Sequence, residues 1–169
     1  MKKAIFLVGN FGVGKSTLLN RQVISSVGIY QEIAENLYVL GKDTSGADTL
    51  SSFKKEDVIK DIISNKDKNI ILCGIYYQQI IDVQRLKNFF EIVIVYLNTD
   101  YENNKKRIEA RGKEINKKTF VQKNKHIKSF IKQSFMDCSE VFIIDNNKSK
   151  EEVKKEFDNI IKKLLYEKS

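Results

Sequence analysis

Nine consecutive residues near the start of the chain carry its most explicit chemistry: Gly9, Asn10, Phe11, Gly12, Val13, Gly14, Lys15, Ser16 and Thr17. Gly9, Gly14, Lys15 and Ser16 fit G-x-x-x-x-G-K-[ST] without a gap. Glycines at this spacing let the backbone curl until successive N–H groups point at phosphate oxygens. Lys15 then reaches the β- and γ-phosphates, and the Ser16 hydroxyl is the candidate Mg2+ ligand. All nine residues form the candidate nucleotide-binding set, with ATP and Mg2+ as the expected cofactors and Lys15 also a candidate catalytic residue.

Such a loop needs a buried strand before it and a helix after it. The apolar run Ala4–Val8 supplies the first, and Lys15–Ser26 has the pattern of the second. Four more apolar runs read as strands: Leu37–Leu40, Ile70–Cys73, Ile92–Leu97 and Val141–Ile144. Most are unbroken rather than alternating, as expected of strands covered on both faces of a parallel sheet. Helical patterns fall between them, over Lys54–Asn65 with Ser51 or Ser52 as N-cap, Tyr76–Phe90, Tyr101–Arg111 and Thr119–Phe135. A final apolar stripe runs through Val153, Phe157, Ile160, Ile161, Leu164 and Leu165. This alternation predicts one α/β domain over residues 1–169, with three layers around a parallel five-stranded sheet. Ligands of such sheets sit beyond the carboxyl ends of the strands.

The loop Leu40–Leu50, "LGKDTSGADTL", offers two acids among small polar residues. Asp43-x-x-Gly46 looks like a GTPase switch, with Asp43 as a metal-linked carboxylate. A guanine-reading N-K-x-D should then follow a later strand. The nearest match, "NKDKN" at Asn65, has Lys68 in place of the acid and precedes a strand. The same loop serves a transfer reaction better, because a carboxylate there can orient an acceptor hydroxyl and take its proton. Asp48 and Asp43 are both candidates for that role.

The stretch from Tyr96 to Glu114, "YLNTDYENNKKRIEARGKE", resembles the fourth strand and lid of small P-loop kinases of the nucleoside and nucleotide kinase group. The resemblance covers most of the chain in order. It implies a three-layer P-loop NTPase fold with a helical lid over about residues 100–118 and phosphotransferase activity. Asp100 would cap the lid helix and Gly112 would break it. Arg107 and Arg111, four apart on one face, would clamp the transferring phosphoryl group. Asp145, Asn146 and Asn147 would lie near adenine. The chain departs from the pattern at Cys73, where many such kinases carry a Mg2+-supporting Asp. The loop "LGKDTSGADTL" also resembles, more weakly, one in phage kinases that phosphorylate 5-hydroxymethyluracil in DNA.

Charge points to the acceptor. Of a net +8, the segment Lys105–Lys132 carries eleven Lys or Arg and only two acids, Glu109 and Glu114. Lys113, Lys117, Lys118, Lys123, Lys125, Lys128 and Lys132 extend past anything a lid requires. A broad lysine surface rewards a nucleotide or nucleic-acid partner, DNA included, through release of condensed counterions. A base within a duplex would have to be turned out, and Tyr76 and Tyr77 are candidates to stack on it, with core packing the alternative. His126 reads as a solvated histidine among lysines.

Two distant cysteines, Cys73 and Cys138, with one histidine argue against a Cys/His metal site or a disulfide framework. No apolar run approaches the roughly 18 residues of a membrane span. The start "MKKAIFLVGN" enters a glycine loop too soon for a signal peptide, so the expected location is cytoplasmic with no membrane partner. The expected activity is transfer of the γ-phosphoryl of ATP to a nucleotide or nucleic-acid acceptor. Alternatives are a nucleoside monophosphate or small-metabolite kinase, an NTP-dependent nucleic-acid-binding module, and a GTPase.

Overall fold

Alternate residues of the first strand, β1 (Lys3–Gly9), face two different cores. Ala4, Phe6 and Val8 enter one apolar cluster, whereas Ile5 and Leu7 enter the other. The same split recurs in β5 (Asn69–Cys73) and β6 (Glu91–Asn98). Unbroken apolar runs thus arise because both faces of the sheet are covered. The first cluster is closed by α2 (Lys55–Ser64), α3 (Ile80–Leu86) and α5 (Lys117–Ser134). The second is closed by α1 (Lys15–Leu19) and α6 (Lys150–Leu165). The remaining helix, α4 (Tyr101–Ala110), follows β6. The computed structural model describes residues 1–19, 23–41 and 47–167, with only the backbone described at Ser16 and Asp48.

Five strands are parallel neighbours in the order β4 (Leu37–Leu40), β5, β1, β6 and β7 (Cys138–Asp145). These are the five runs expected from sequence. The sheet nevertheless has seven strands and is mixed, because β2 (Ser25–Val27) and β3 (Tyr30–Ala34) extend it antiparallel beyond β4. Two-residue connections join them, with Gly28 and Asn36 at φ 58° and 52°. Polar residues hid β3 from a search for apolar runs. Gln31 is buried there because its Nε2 donates to the Gly41 carbonyl at 3.3 Å.

Three helix expectations need correction. Ser25 and Ser26 belong to β2, so the helix after the glycine loop does not reach them, and its described part ends at Leu19. Neither Ser51 nor Ser52 caps α2; its N-cap is Lys54, which makes no side-chain cap bond. The helix expected over Tyr76–Phe90 is only Ile80–Leu86, opened by a capping box between Gln79 and Asp82. Both cysteines are outside any disulfide, and burial pushes the Cys138 thiol up to about 11. Among the described residues no helix is long and apolar enough to cross a membrane.

Asp82 is fully buried, with Lys55 Nζ 2.9 Å from its Oδ1. A lysine opening a helix opposes the helix dipole, and the buried carboxylate offsets that. Burial outweighs Lys55 and holds the Asp82 carboxyl above its ordinary 3.8. Between 3.8 and the raised value the folded protein binds more protons here than the unfolded chain does. This group's contribution to stability therefore rises as pH falls through that window and levels off below it. Carbon-13 NMR should find the Asp82 carboxyl titrating above 3.8; a midpoint below that value would mean that Lys55 dominates.

Candidate functional site

The glycine loop bridges β1 and α1 at the carboxyl end of the parallel strands. Gly12 and Gly14 take left-handed backbone angles, φ 67° and 95°, which give the loop its inward curl. Gly12 is also required by contact, since a Cβ there would stand 2.6 Å from Ile108 Cγ1 on α4. Lys15 Nζ donates to the carbonyls of Gly9 and Asn10, at 2.7 and 3.1 Å, so the lysine is held over the loop it serves. The Asn10 side chain ties the loop to α5, donating to Phe120 O and Asn124 Oδ1, both at 2.9 Å.

One cleft of about 730 Å³ lies beside Gly12–Gly14 and Thr17. Its walls come from α4, with Lys106, Arg107 and Arg111, and from the start of α6, with Lys150, Val153 and Lys154. Five basic side chains against the single acid Glu151 suit a polyanion such as a nucleoside triphosphate. The structure thus brings Arg107 and Arg111 together with the loop, as the sequence suggested. Burial first, and the neighbouring Arg111 charge second, lower the Arg107 pKa from its ordinary value. Arg107 Nη2 donates to the Asn146 carbonyl at 2.5 Å. Asp100 caps α4 by accepting from Asn103 N at 2.8 Å, and the chain turns at Gly112 with φ 74°.

A second cleft of about 450 Å³ lies on the other side of the loop. Asn10, Phe11 and Gly12 form one wall, Ile108 and Arg111 another, and residues 113–116 with Thr119 and Phe120 the rest. Only Gly12 and Arg111 line both clefts. A phosphoryl group seated at Gly12 would therefore be reachable from either side, beside Arg111.

Several expected residues fall elsewhere. Asp43 lies outside the described residues, as do the side chains of Ser16 and Asp48; the Asp48 backbone forms part of a single 3-10 turn, Ala47–Leu50. Tyr77 is a core residue, only 1% exposed, and its hydroxyl is pushed up to about 12 by burial, so it cannot stack on a base. Tyr76 is 36% exposed and lies edge-on to it. Asp145 and Asn147 do not line the large cleft. Asn147 Oδ1 instead accepts from Asp100 N at 3.0 Å, which ties two loops together. Asn146 does line it, yet its amide donates to Val13 O at 2.6 Å and Thr99 Oγ1 at 2.8 Å. His126 is exposed as expected, with one contact to the Gln78 carbonyl at 3.3 Å. Five of the six lysines of α5 are exposed, away from buried Phe120, Ile127 and Phe130, whereas Lys123 is half-buried. Sequence reading missed Lys150 and Lys154, which are one helical turn apart and have no motif to mark them.

The residues present fit a triphosphate through the curled loop, Lys15 and the arginines. For Mg2+ no cluster of three or more His, Cys, Asp or Glu occurs among the described residues, and Cys73 at the end of β5 is buried. An ion that keeps several waters and shares phosphate oxygens needs no such cage.

Together the fold and the loop define a P-loop NTPase domain. The family model described as "AAA domain" matches residues 5–131, and the chain belongs to that family. No curated protein matches the sequence. Among solved structures, the YorR protein of Bacillus subtilis, in complex with phosphorylated GDP, is 14% identical with a TM-score of 0.55, covering 98% of this chain and 99% of its own. Shikimate kinase of Acinetobacter baumannii, in complex with shikimate, is 18% identical with a TM-score of 0.50, covering 98% and 96%. At these identities the likeness is one of fold.

Two substitutions test the geometry. Gly12→Ala must shift Ile108 and strain the loop, and should cost about 1 kcal/mol or more of stability. Asn146→Ala strands the Val13 carbonyl and should cost about 2 kcal/mol. Urea unfolding measures both, and nucleotide titration should show weaker binding in each.

Proposed function

We propose that the protein is an ATP-dependent kinase that transfers the γ-phosphoryl group to a hydroxyl or phosphate oxygen on a nucleotide or nucleic acid. The carrying observation is the pair of clefts that share only Gly12 and Arg111. A hydrolase needs one nucleotide site and a water, whereas a kinase needs a second site facing the same phosphorus.

In this reading the donor occupies the larger cleft, its phosphates held by loop N–H groups and Lys15. Ser16 would hold Mg2+, which would supply charge neutralisation on the phosphates. An acceptor oxygen attacks the γ-phosphorus. The bond from that phosphorus to the β–γ bridging oxygen breaks, and ADP leaves with the electron pair. Arg107 and Arg111 stabilise the charge that spreads over the transferring group, and closure of the 100–118 lid excludes water. A hydroxyl acceptor loses its proton to a carboxylate, either Asp48 or Asp43. The structure adds Glu114, the one carboxylate that lines the second cleft. YorR holds phosphorylated GDP in this fold, which supports a nucleotide at the donor site. The exposed lysines of α5 support an acidic acceptor, and 5-hydroxymethyluracil in DNA remains a specific candidate.

The lysine face favours one further reading, an NTP-dependent nucleic-acid-binding module without transfer. Labelled γ-phosphate decides between the two. ATP and Mg2+ are supplied with water, each deoxynucleoside monophosphate, shikimate, plain DNA, or DNA containing 5-hydroxymethyluracil. The kinase reading expects label on one acceptor and little in inorganic phosphate. It also expects that Lys15→Ala abolishes transfer and that one of Asp43→Asn, Asp48→Asn or Glu114→Gln lowers it about 100-fold or more with ATP binding kept. Label appearing only as inorganic phosphate, unchanged by all three carboxylate variants, would replace the kinase with the binding module.

A further inference from the structure

Phe11 is an unusual occupant of a phosphate-binding loop, because its side chain is 46% exposed although it directly precedes Gly12 of the curl. It forms part of the second cleft rather than the donor cleft. Lys123 Nζ stands over the ring, 4.9 Å from its centroid. Behind the cleft wall the Phe120 ring meets Tyr101 edge-on, with centroids 5.4 Å apart, and Lys117 lies over Tyr101 at 5.4 Å. Lys123 thus covers the Phe11 ring, and Lys117 covers the Tyr101 ring that meets Phe120.

We infer that this cleft is the acceptor subsite and that it takes a nucleobase carrying a phosphate, with the Phe11 ring as its stacking platform. The inference rests on the kinase reading and specifies its acceptor. Phe11, Ile108, Ile115 and Phe120 give the cleft an apolar interior that suits a flat aromatic ring. A polyhydroxylated acid would lose hydrogen bonds to water against those side chains and regain few. The rim is cationic, with Arg111 and Lys113 against Glu114, which favours an anionic group on the bound ring. At about 450 Å³ the cleft is large enough for one nucleotide unit. That unit can be a free mononucleotide or one residue of a strand running onto the α5 lysines, because both present the same base and phosphate.

The chain contains no tryptophan, so Phe11→Trp creates a single reporter at the proposed platform. With the donor cleft filled by ADP and Mg2+, the probes are deoxynucleoside monophosphates, a short single-stranded oligonucleotide, ribose 5-phosphate and shikimate. The inference expects quenching by a base-bearing phosphate and at least tenfold weaker binding of ribose 5-phosphate and shikimate. Tighter binding of the oligonucleotide, with steep salt dependence, identifies a strand as the source; equal binding of the mononucleotide identifies the free nucleotide. In acceptor-binding assays the ratio of base-bearing to base-free affinity should fall about tenfold in Phe11→Leu and be kept in Phe11→Tyr, which retains the ring. Equal binding of ribose 5-phosphate, no quenching by any base, or an unchanged ratio in Phe11→Leu overturns the inference. ATP binding and transfer by the unaltered protein are measured in parallel. Their loss defeats the kinase reading itself, whereas their presence confines the failure to the acceptor.

Discussion

One buried amide holds the functional end of this domain together. Asn146 donates to Val13 of the phosphate loop and to Thr99 at the end of β6. Its own N–H donates to the Asn98 carbonyl at 2.9 Å, and its carbonyl receives Arg107. Three loops from three parallel strands are thereby fixed by one residue that is 3% exposed. Backbone groups in such a place must find partners or carry the cost of desolvation, so the bonds are specific as well as stabilising. The α4 wall of the large cleft and the phosphate loop beside it are tied to this one residue.

The α4 helix is bound into the same arrangement from the other side. Ile108 packs on Gly12 while Arg107 and Arg111 flank the cleft. Arg107 is partly desolvated and beside a like charge, both of which disfavour its cation. That arrangement is unfavourable alone and becomes favourable when an anion arrives between the two guanidinium groups. Of the eleven Lys and Arg over residues 105–132, Lys106, Arg107 and Arg111 line this cleft. The lysines of α5 do not line the large cleft at all.

The sequence made the parallel framework legible because both faces of its strands are buried, which leaves unbroken apolar runs at all five positions. It also made the loop legible, since the glycines that curl it and the lysine that serves it are fixed in spacing. The hairpin of β2 and β3 was hidden for the opposite reason. β2 is exposed throughout, and buried Gln31 in β3 satisfies itself by a hydrogen bond rather than by being apolar. Tyr77 was ambiguous because an aromatic after a strand suits a core and a base equally, and only packing separates the two. Lys150 and Lys154 belong to the cleft through the return of α6 across the sheet, a relation that no local pattern encodes. Phe11 was visible as a loop member, but its exposure toward a second cleft depends on α4 and α5 standing where they do.

Gly9 has a role that reaches beyond ligand binding. A strand that is apolar on both faces has no polarity pattern to oppose a slip of one residue along its neighbours. For β1 the stop is steric. A Cβ at position 9 would lie 2.7 Å from Val13 Cγ2 and 3.3 Å from Leu97, so only glycine fits there. Moving the strand by one residue would bring Val8 or Asn10 into that space. The glycine that begins the phosphate loop therefore also sets the alignment of the central strand, and a protein built this way cannot misregister its sheet and still close its loop.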